Sequence, residues 1–561
     1  MKYSIIIFLS ALSLCSSQNP YPRDYFIYPI KDPIILSGTF AELRSNHFHA
    51  GIDIKTGGVE GLKVVSSADG YVSRIKISER GYGKALYITH PNGFTSVYAH
   101  LQKFCPEIEN YVKKKQYQNQ KFEIQLFPSV NLLKFKKGEI IGYSGNTGGS
   151  SGPHLHFEIR DKNEKPVNPM LFGIEAKDTS KPSIHGLFVY PIENNSNING
   201  YTTRVQIDIK KNASGDYISE LINAKGEIGF GIISNDQLDY ASNKNGLTSI
   251  VTTYEGVEHL KINFDKFSFY ESKHINRYID YEYYRNNNNR IQKLYIEQNN
   301  PLSIFKFEKN KGLINIVKKK VSLFEIKISD FAGNTTNLKI PIKFTEFDVK
   351  NKNENRKNSK KIYYDQDTHL KAESVDIFIK KNSLYEDLYL NFKFENDILN
   401  LHNTFVPLKK PISLCFNLDG YDQTKLDKLF IGKILNNGTV VYCQTSLKKN
   451  KLFANTRDFG KFKIVIDKEK PKIEIKNLNK VNAVIDGRYL KFKIFDDKSG
   501  IKNYLGTING KWILMEHDPK TNILMHDLKD GIASKQENNL KLLVTDKVGN
   551  ISKFETIFYI K

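Results

Sequence analysis

"SGPHLHFEIR" (151–160) reads as a β-strand with two histidines, His154 and His156, at positions i and i+2. Successive side chains of a strand point to opposite faces, so these two share a face, about 6–7 Å apart at the backbone. About a hundred positions earlier, "HFHAGID" (47–53) carries His49 and Asp53 in the spacing His-x-x-x-Asp. In a regular strand that pair also shares a face but stands roughly 13 Å apart, too far for one metal ion. Gly51 lies between them and permits the bend or bulge that would bring them together. A third segment, "SVYAHL" (96–101), offers His100.

A hydrolytic zinc ion takes three protein ligands and keeps one position open for water. His49, Asp53 and one member of the His154/His156 pair supply three. The second member and His100 are then left to move a proton and to stabilise a developing oxyanion. Spacing alone leaves open which of His154 and His156 is the ligand. A single histidine is usually inert, and the weight rests on the joint occurrence of the three segments, each flanked by glycine. His47 is six residues before Asp53, so His49 fits better, and His90 precedes the turn "PNG" (91–93). His185, His259, His274, His369, His402, His517 and His526 form no close cluster and read as structural.

The surroundings of these segments read as all-β. Residues 20–172 hold 6 of the 13 histidines, and short strand-like runs such as "LKVVSSADGYVSRIKIS" (62–78) alternate with glycine turns. "PNG" between two alternating runs reads as a hairpin turn. One stretch interrupts the pattern, "FCPEIENYVKKKQYQNQKFEIQLFPSVNLLKFK" (104–136), whose first half suits a short helix and whose second half suits a strand. Beside a catalytic segment such an insertion can shape a substrate groove or merely decorate the surface.

After Gly173 strand-like segments continue to the end, with a weak internal repeat. "DTSKPSI" (178–184) resembles "DKEKPKI" (467–473), and "ISDFAGNTTNLKIPI" (328–342) resembles "VTDKVGNISKFETIFYI" (544–560). Proline at a strand start and Gly-Asn at a turn suit β-sandwich modules. The polar stretch "VKNKNENRKNSKK" (349–361) reads as a linker. The expected organisation is a signal peptide (1–17), a domain that carries the candidate zinc site (18–175), a β-sandwich-like module (176–346), a β module (362–466) and an immunoglobulin-like β-sandwich (467–561). The expected fold class is all-β, a compact antiparallel sheet domain followed by two or three β-sandwich modules.

A chain of 561 residues needs several such domains. Its start, "MKYSIIIFLSALSLCSSQN", has one lysine, an apolar run from Ser4 to Leu14 and then small residues, which reads as a secretory signal cleaved after Ser17. Export to the periplasm, the cell envelope or the medium follows. Cys15 offers a lipoprotein alternative, which Leu14 directly before it disfavours. Of the four cysteines, Cys15 leaves with the signal, so at most one internal disulfide can form, and Cys415–Cys443 is the candidate pair, with two reduced cysteines the equal alternative. The net charge of +22 suits attraction to an anionic wall or membrane surface. The lysines are spread along the chain, with no aromatic-interleaved basic patch, so nucleic acid is not an expected partner.

Residues 40–172 resemble the lysostaphin/LytM-type zinc metallopeptidases, the peptidoglycan endopeptidase family. "HAGIDI" (49–54) is similar to that family's His-x-Gly-x-Asp motif. "GLKVVSSADGYVSRI" (61–75), "GYGKALYITHPNGFTSVYAHL" (81–101) and "KKGEIIGYSGNTGGSSGPHLHFEIR" (136–160) follow the family's order of segments. The resemblance implies Zn²⁺ held by His49, Asp53 and His156, with His100 and His154 as catalytic histidines. It implies peptidoglycan cross-links as substrate and a groove across an antiparallel sheet. The 104–136 insertion departs from the pattern and leaves substrate preference open. Cell-envelope proteins are further candidate partners, and the competing readings are a non-cutting wall-binding or hydrolase-activating module and an adhesive or docking protein acting through its C-terminal β modules.

Overall fold

The computed structural model describes residues 20–31, 33–317, 320–347, 359–477, 483–485 and 487–560. The signal peptide and most of the 349–361 linker expected from the sequence lie outside the described residues. The fold is all-β as expected, and it is built around several separate hydrophobic cores.

The first domain is organised on one antiparallel sheet. Its principal strands are β1 (Leu36–Gly38), β2 (Ile52–Lys55), β3 (Gly70–Ile77), β4 (Lys84–Thr89) and β5 (Thr95–Leu101). After the helix α1 (Pro106–Asn119) come β6 (Ile124–Leu126) and β7 (His154–Arg160). Their order across the sheet is β1–β2–β7–β5–β4–β3–β6. Alternation builds this sheet. Ile52 and Ile54 of β2 and Leu155, Phe157 and Ile159 of β7 point into one core and are buried. Burying each such side chain contributes about 1.5–3 kcal/mol. Asp53, His154, His156, Glu158 and Arg160 therefore face the other way.

The 104–136 insertion has the helix-then-strand character read from its sequence. Pro106 occupies the first turn of α1, where its missing N–H costs nothing, and Glu107 and Glu109 sit at the positive end of the helix dipole. The helix ends at Gln120 in the left-handed conformation, and β6 then pairs with β3.

Three further β units follow. Residues 183–344 form a 13-stranded assembly that includes β8 (Ser183–Pro191), β9 (Ile222–Asn235), β10 (Val321–Ser329) and β11 (Thr335–Phe344). Phe40, Ala41, Phe48 and Ala50, from the segment around His49, are buried in the core of this unit and not in that of the first sheet. Two five-stranded sheets enclose the next core, over 362–464. The last unit is a sandwich of a four-stranded and a five-stranded sheet, including β12 (Lys472–Ile475), β13 (Tyr489–Phe495) and β14 (Asn538–Asp546). Cys415 and Cys443 are both free thiols. Cys415 lies in a strand paired with 375–378 and 451–456, whereas Cys443 follows a strand of the opposite sheet, so the candidate disulfide does not form.

Candidate metal centre

β2 and β7 are hydrogen-bonded neighbours in a register that sets His156 opposite Asp53 and His154 opposite Lys55. The chain bends at Gly51 just before β2, and the bend brings His49 back over Asp53. Glycine is required there because a Cβ would stand 2.2 Å from the Phe157 carbonyl oxygen. His49 Nε2 is 3.0 Å from Asp53 Oδ1 and 3.1 Å from His156 Nδ1, and His156 Nδ1 is 2.8 Å from Asp53 Oδ1. The 13 Å of a flat strand is thus removed by one bend.

His100 reaches the same place by a different route. Its strand neighbour Tyr98 points into the core, so simple alternation would bury His100 there as well. Between β4 and β5 the pairing slips by one residue, from Leu86 opposite Tyr98 to Lys84 opposite Leu101. His100 adopts a left-handed backbone with φ of 58°. A bulge of this kind moves a side chain to the opposite face, and a left-handed non-glycine residue persists only where its surroundings hold it. Its N–H donates to Tyr82 O at 3.0 Å, and its ring Nδ1 donates to Thr147 O at 2.8 Å. Its ring centroid lies 4.8 Å from that of His154 and 5.8 Å from that of His156.

The hydrogen bonds set the tautomers. His49 Nδ1 donates to Thr39 O at 2.7 Å, which turns the lone pair of Nε2 toward Asp53. His156 Nε2 donates to Glu158 Oε1 at 2.9 Å, which turns Nδ1 inward. His154 Nδ1 donates to Gly152 O at 2.9 Å, leaving Nε2 3.5 Å from Asp53 Oδ1. Two inward nitrogens and a carboxylate oxygen therefore converge with at most one proton among them. A tetrahedral zinc with bonds of about 2.0–2.2 Å spaces its ligand atoms roughly 3.3–3.6 Å apart. The observed 2.8–3.1 Å needs only a few tenths of an ångström of opening, so the donor set fits the ion.

Electrostatics agree with this arrangement. Burial opposes the charged form of His156, yet hydrogen bonds to Asp53 and Glu158 raise it to about 9, a proton that a metal cation would replace. Burial also opposes ionisation of Glu158, but Arg160 and His156 hold it down to about 2. Burial pushes His100 down to about 3, with His156 and His154 adding to the shift, so its ring is neutral.

Several supporting residues were not singled out in the sequence. Glu158 accepts from Arg160 Nε at 2.6 Å and from the Tyr82 hydroxyl. Tyr82 stacks on His156 with centroids 5.2 Å apart. Such partners orient metal ligands and raise their basicity. Arg44 donates to Asp53 Oδ2 at 3.2 Å, across a gap that a Cβ on Gly38 would close. Glu158 and Arg160 continue the period-two pattern that begins at His154, and that was the available signal. Nothing in the sequence marks Tyr82 or Arg44. His47 is exposed and donates to Ser45 O, and His90 is buried against Asp69 and Ser96, so neither joins the cluster.

Residues 47–117 and 133–169 match the family model of peptidase family M23. That part of the chain is similar to M23 peptidases. The gap in the match, 118–132, falls within the insertion. Residues 359–467 match the Zu5-like domain. The DD-carboxypeptidase/endopeptidase Mpg of Neisseria meningitidis serogroup B is 36% identical over 139 residues, which are 25% of this chain and 26% of that protein. The murein hydrolase activator NlpD of Salmonella typhimurium is 34% identical over 122 residues, 22% of this chain and 25% of that protein. Among solved structures, the catalytic domain of the prophage-encoded M23 protein EnpA from Enterococcus faecalis is 23% identical. It covers 26% of this chain and 94% of its own, with a TM-score of 0.20. The chain spans about a quarter of the length of the curated relatives it matches.

Proposed function

We propose that this chain is an exported zinc metalloendopeptidase that hydrolyses peptide cross-links of bacterial peptidoglycan. The observation that carries this reading is the convergence of His49 Nε2, Asp53 Oδ1 and His156 Nδ1 beside two further histidines. His49, Asp53 and His156 are the proposed zinc ligands. When bound, Zn²⁺ supplies Lewis acidity toward a scissile carbonyl and toward water.

The protein groups do the remaining work. His154 is anchored through Nδ1 and presents Nε2 to the cluster, where it accepts the proton of the attacking water. Oxygen bonds to the peptide carbon, the C–N bond breaks, and that proton passes to the leaving amine. His100, held through Nδ1 by Thr147, presents its unprotonated Nε2 beside His154 as a second acceptor that can orient the attacking water. Glu158 and Arg160 keep the His156 ring oriented and hydrogen-bonded through Nε2.

A non-cutting activator is the competing reading, since one relative bears that name. The presence here of all five proposed ligand and catalytic side chains favours the enzyme. The test is digestion of purified peptidoglycan by the full chain, analysed by mass spectrometry. Cross-linked peptides are expected to disappear, the activity to stop in chelator and to return with zinc. Unchanged cross-linking with zinc-loaded protein on walls of several cross-link chemistries would refute it.

A further inference from the structure

The repeat that the M23 domain does not absorb places two trios of aspartates at equivalent positions. Asp178 lies four residues before Pro182, at the start of β8, and Asp467 lies four before Pro471, ahead of β12. Asp236 directly follows β9, whose last residue pairs with Ser183, the residue after Pro182. Asp496 directly follows β13, whose last residue pairs with Lys472, the residue after Pro471. Asp330 and Asp546 both open Asp-x-x-Gly-Asn turns. In each trio one carboxylate oxygen per residue lies within 4.8 Å of the other two.

The first trio is charged beyond what its surroundings satisfy. Asp236 is 3% exposed, and its Oδ1 is buried with no hydrogen-bond donor. Asn245, paired opposite Asp236, likewise has a buried Oδ1 without a donor. Asp330 accepts from Asn334 N and Nδ2, and Asp178 accepts from Ser180 N. No Lys or Arg among the described residues forms an ion pair with any of the three. Burial and the neighbouring carboxylates raise Asp178 to about 6 and Asp236 to about 7. Uncompensated buried charge is costly, and carboxylates that must stay together are usually paired or bound to a metal.

We propose that Asp178, Asp236 and Asp330 bind a calcium ion at the junction between the peptidase domain and the β unit behind it. The donors are all oxygen, which suits a hard cation, and they come from three separate loops, which suits the flexible coordination of Ca²⁺ better than the strict octahedron of Mg²⁺. Loop carbonyls and water would complete the shell. The ion would tie Asp178, on the segment leaving the peptidase domain, to two strand ends of the next unit. The second trio shares the positions but is better satisfied: Asp467 accepts from Glu469 N and Ser499 N, and Asp496 accepts from Gly500 N. The first trio therefore carries the proposal.

The test uses the full chain stripped by chelator, titrated with CaCl₂ and with MgCl₂ by calorimetry, and melted with and without calcium. Wild type is expected to bind calcium at least about tenfold more tightly than magnesium. Asp236→Asn is expected to bind one calcium fewer. Without calcium the variant should melt at or above the wild-type temperature, because a buried charge has gone, and with calcium the order should reverse. The proposal is overturned if wild type binds no calcium, if Asp236→Asn binds as many ions, or if calcium leaves the wild-type melting temperature unchanged. Equal affinity for magnesium would overturn the assignment to calcium.

Discussion

Glu158 shows how much of the proposed zinc site rests on groups that touch no metal. Its buried carboxylate joins the buried His156 and Arg160 and the half-buried Tyr82 in one network. Glu158→Gln removes the charge and keeps the shape. Loss of such a partner typically lowers metal affinity about 10–100-fold, so the variant should lose zinc to a competing chelator over that range while the fold survives. Undiminished affinity would show that Glu158 does not set the basicity of His156. Gly51 makes the complementary point about backbone. A Cβ there would overlap the Phe157 carbonyl, so Gly51→Ala should push β2 away from β7. Zinc content measured by mass spectrometry should then fall well below one ion per chain, together with a lower melting temperature.

Strands explain which parts of the site could be read in advance. Alternation in β2 and β7 is local, so the shared face of His154 and His156 was legible, as was the need for a bend at Gly51. The position of His100 was not, because a one-residue bulge between β4 and β5 reverses the face that alternation assigns. Cys415 and Cys443 left pairing and reduced thiols equally open for a similar reason: each lies in a strand-like run, but which sheet a run joins is decided by distant partners. Phe40 and Phe48 precede the His-x-x-x-Asp segment, yet they pack in the core of the following unit, a choice no local pattern records. The aspartate ends of β8, β9 and β10 carry their own expectation. In chelator, Asp178 and Asp236 titrate among Asp330, Asp239 and its partner Lys177. Both folded pKa values lie above the usual 3.8, so their contribution is complete below about pH 3.8 and is lost as pH rises through about 6 and 7. Thermal melts of the chelated protein should show stability falling across that window, and calcium should flatten the fall.

Across the whole molecule, the domain that carries the proposed zinc site is held by contacts with two other units. Thr39, whose carbonyl holds His49, also accepts from Gly246 N, while Glu42 accepts from Thr39 N and from Asn245 Nδ2. That chain of contacts leads from the proposed calcium site to a proposed zinc ligand. On the other side the last sandwich meets the insertion helix. Tyr117 of α1 donates to Asp530 and packs edge-on against Trp512 with centroids 5.3 Å apart. Lys84 pairs with Glu516 at 2.9 Å, and Lys520 donates to Asn146 O and Ser150 O, beside the loop that anchors His100 and His154. These contacts and the peptidase surface enclose a cleft of about 1070 Å³. Tyr117→Ala should loosen the docking, seen as a larger radius of gyration in solution scattering and faster proteolysis near residue 467. An unchanged radius would mean that the other contacts suffice.

The central claim is a zinc-dependent cut made with the help of His154. It is tested most directly by mass spectrometry of peptides released from purified peptidoglycan by wild type and by His154→Ala, each carrying one zinc per chain. Wild type should release peptides from opened cross-links, and the variant should release them at least about a hundredfold more slowly, the usual scale for loss of a general base. Equal release by the two proteins, or none by either, would contradict the account.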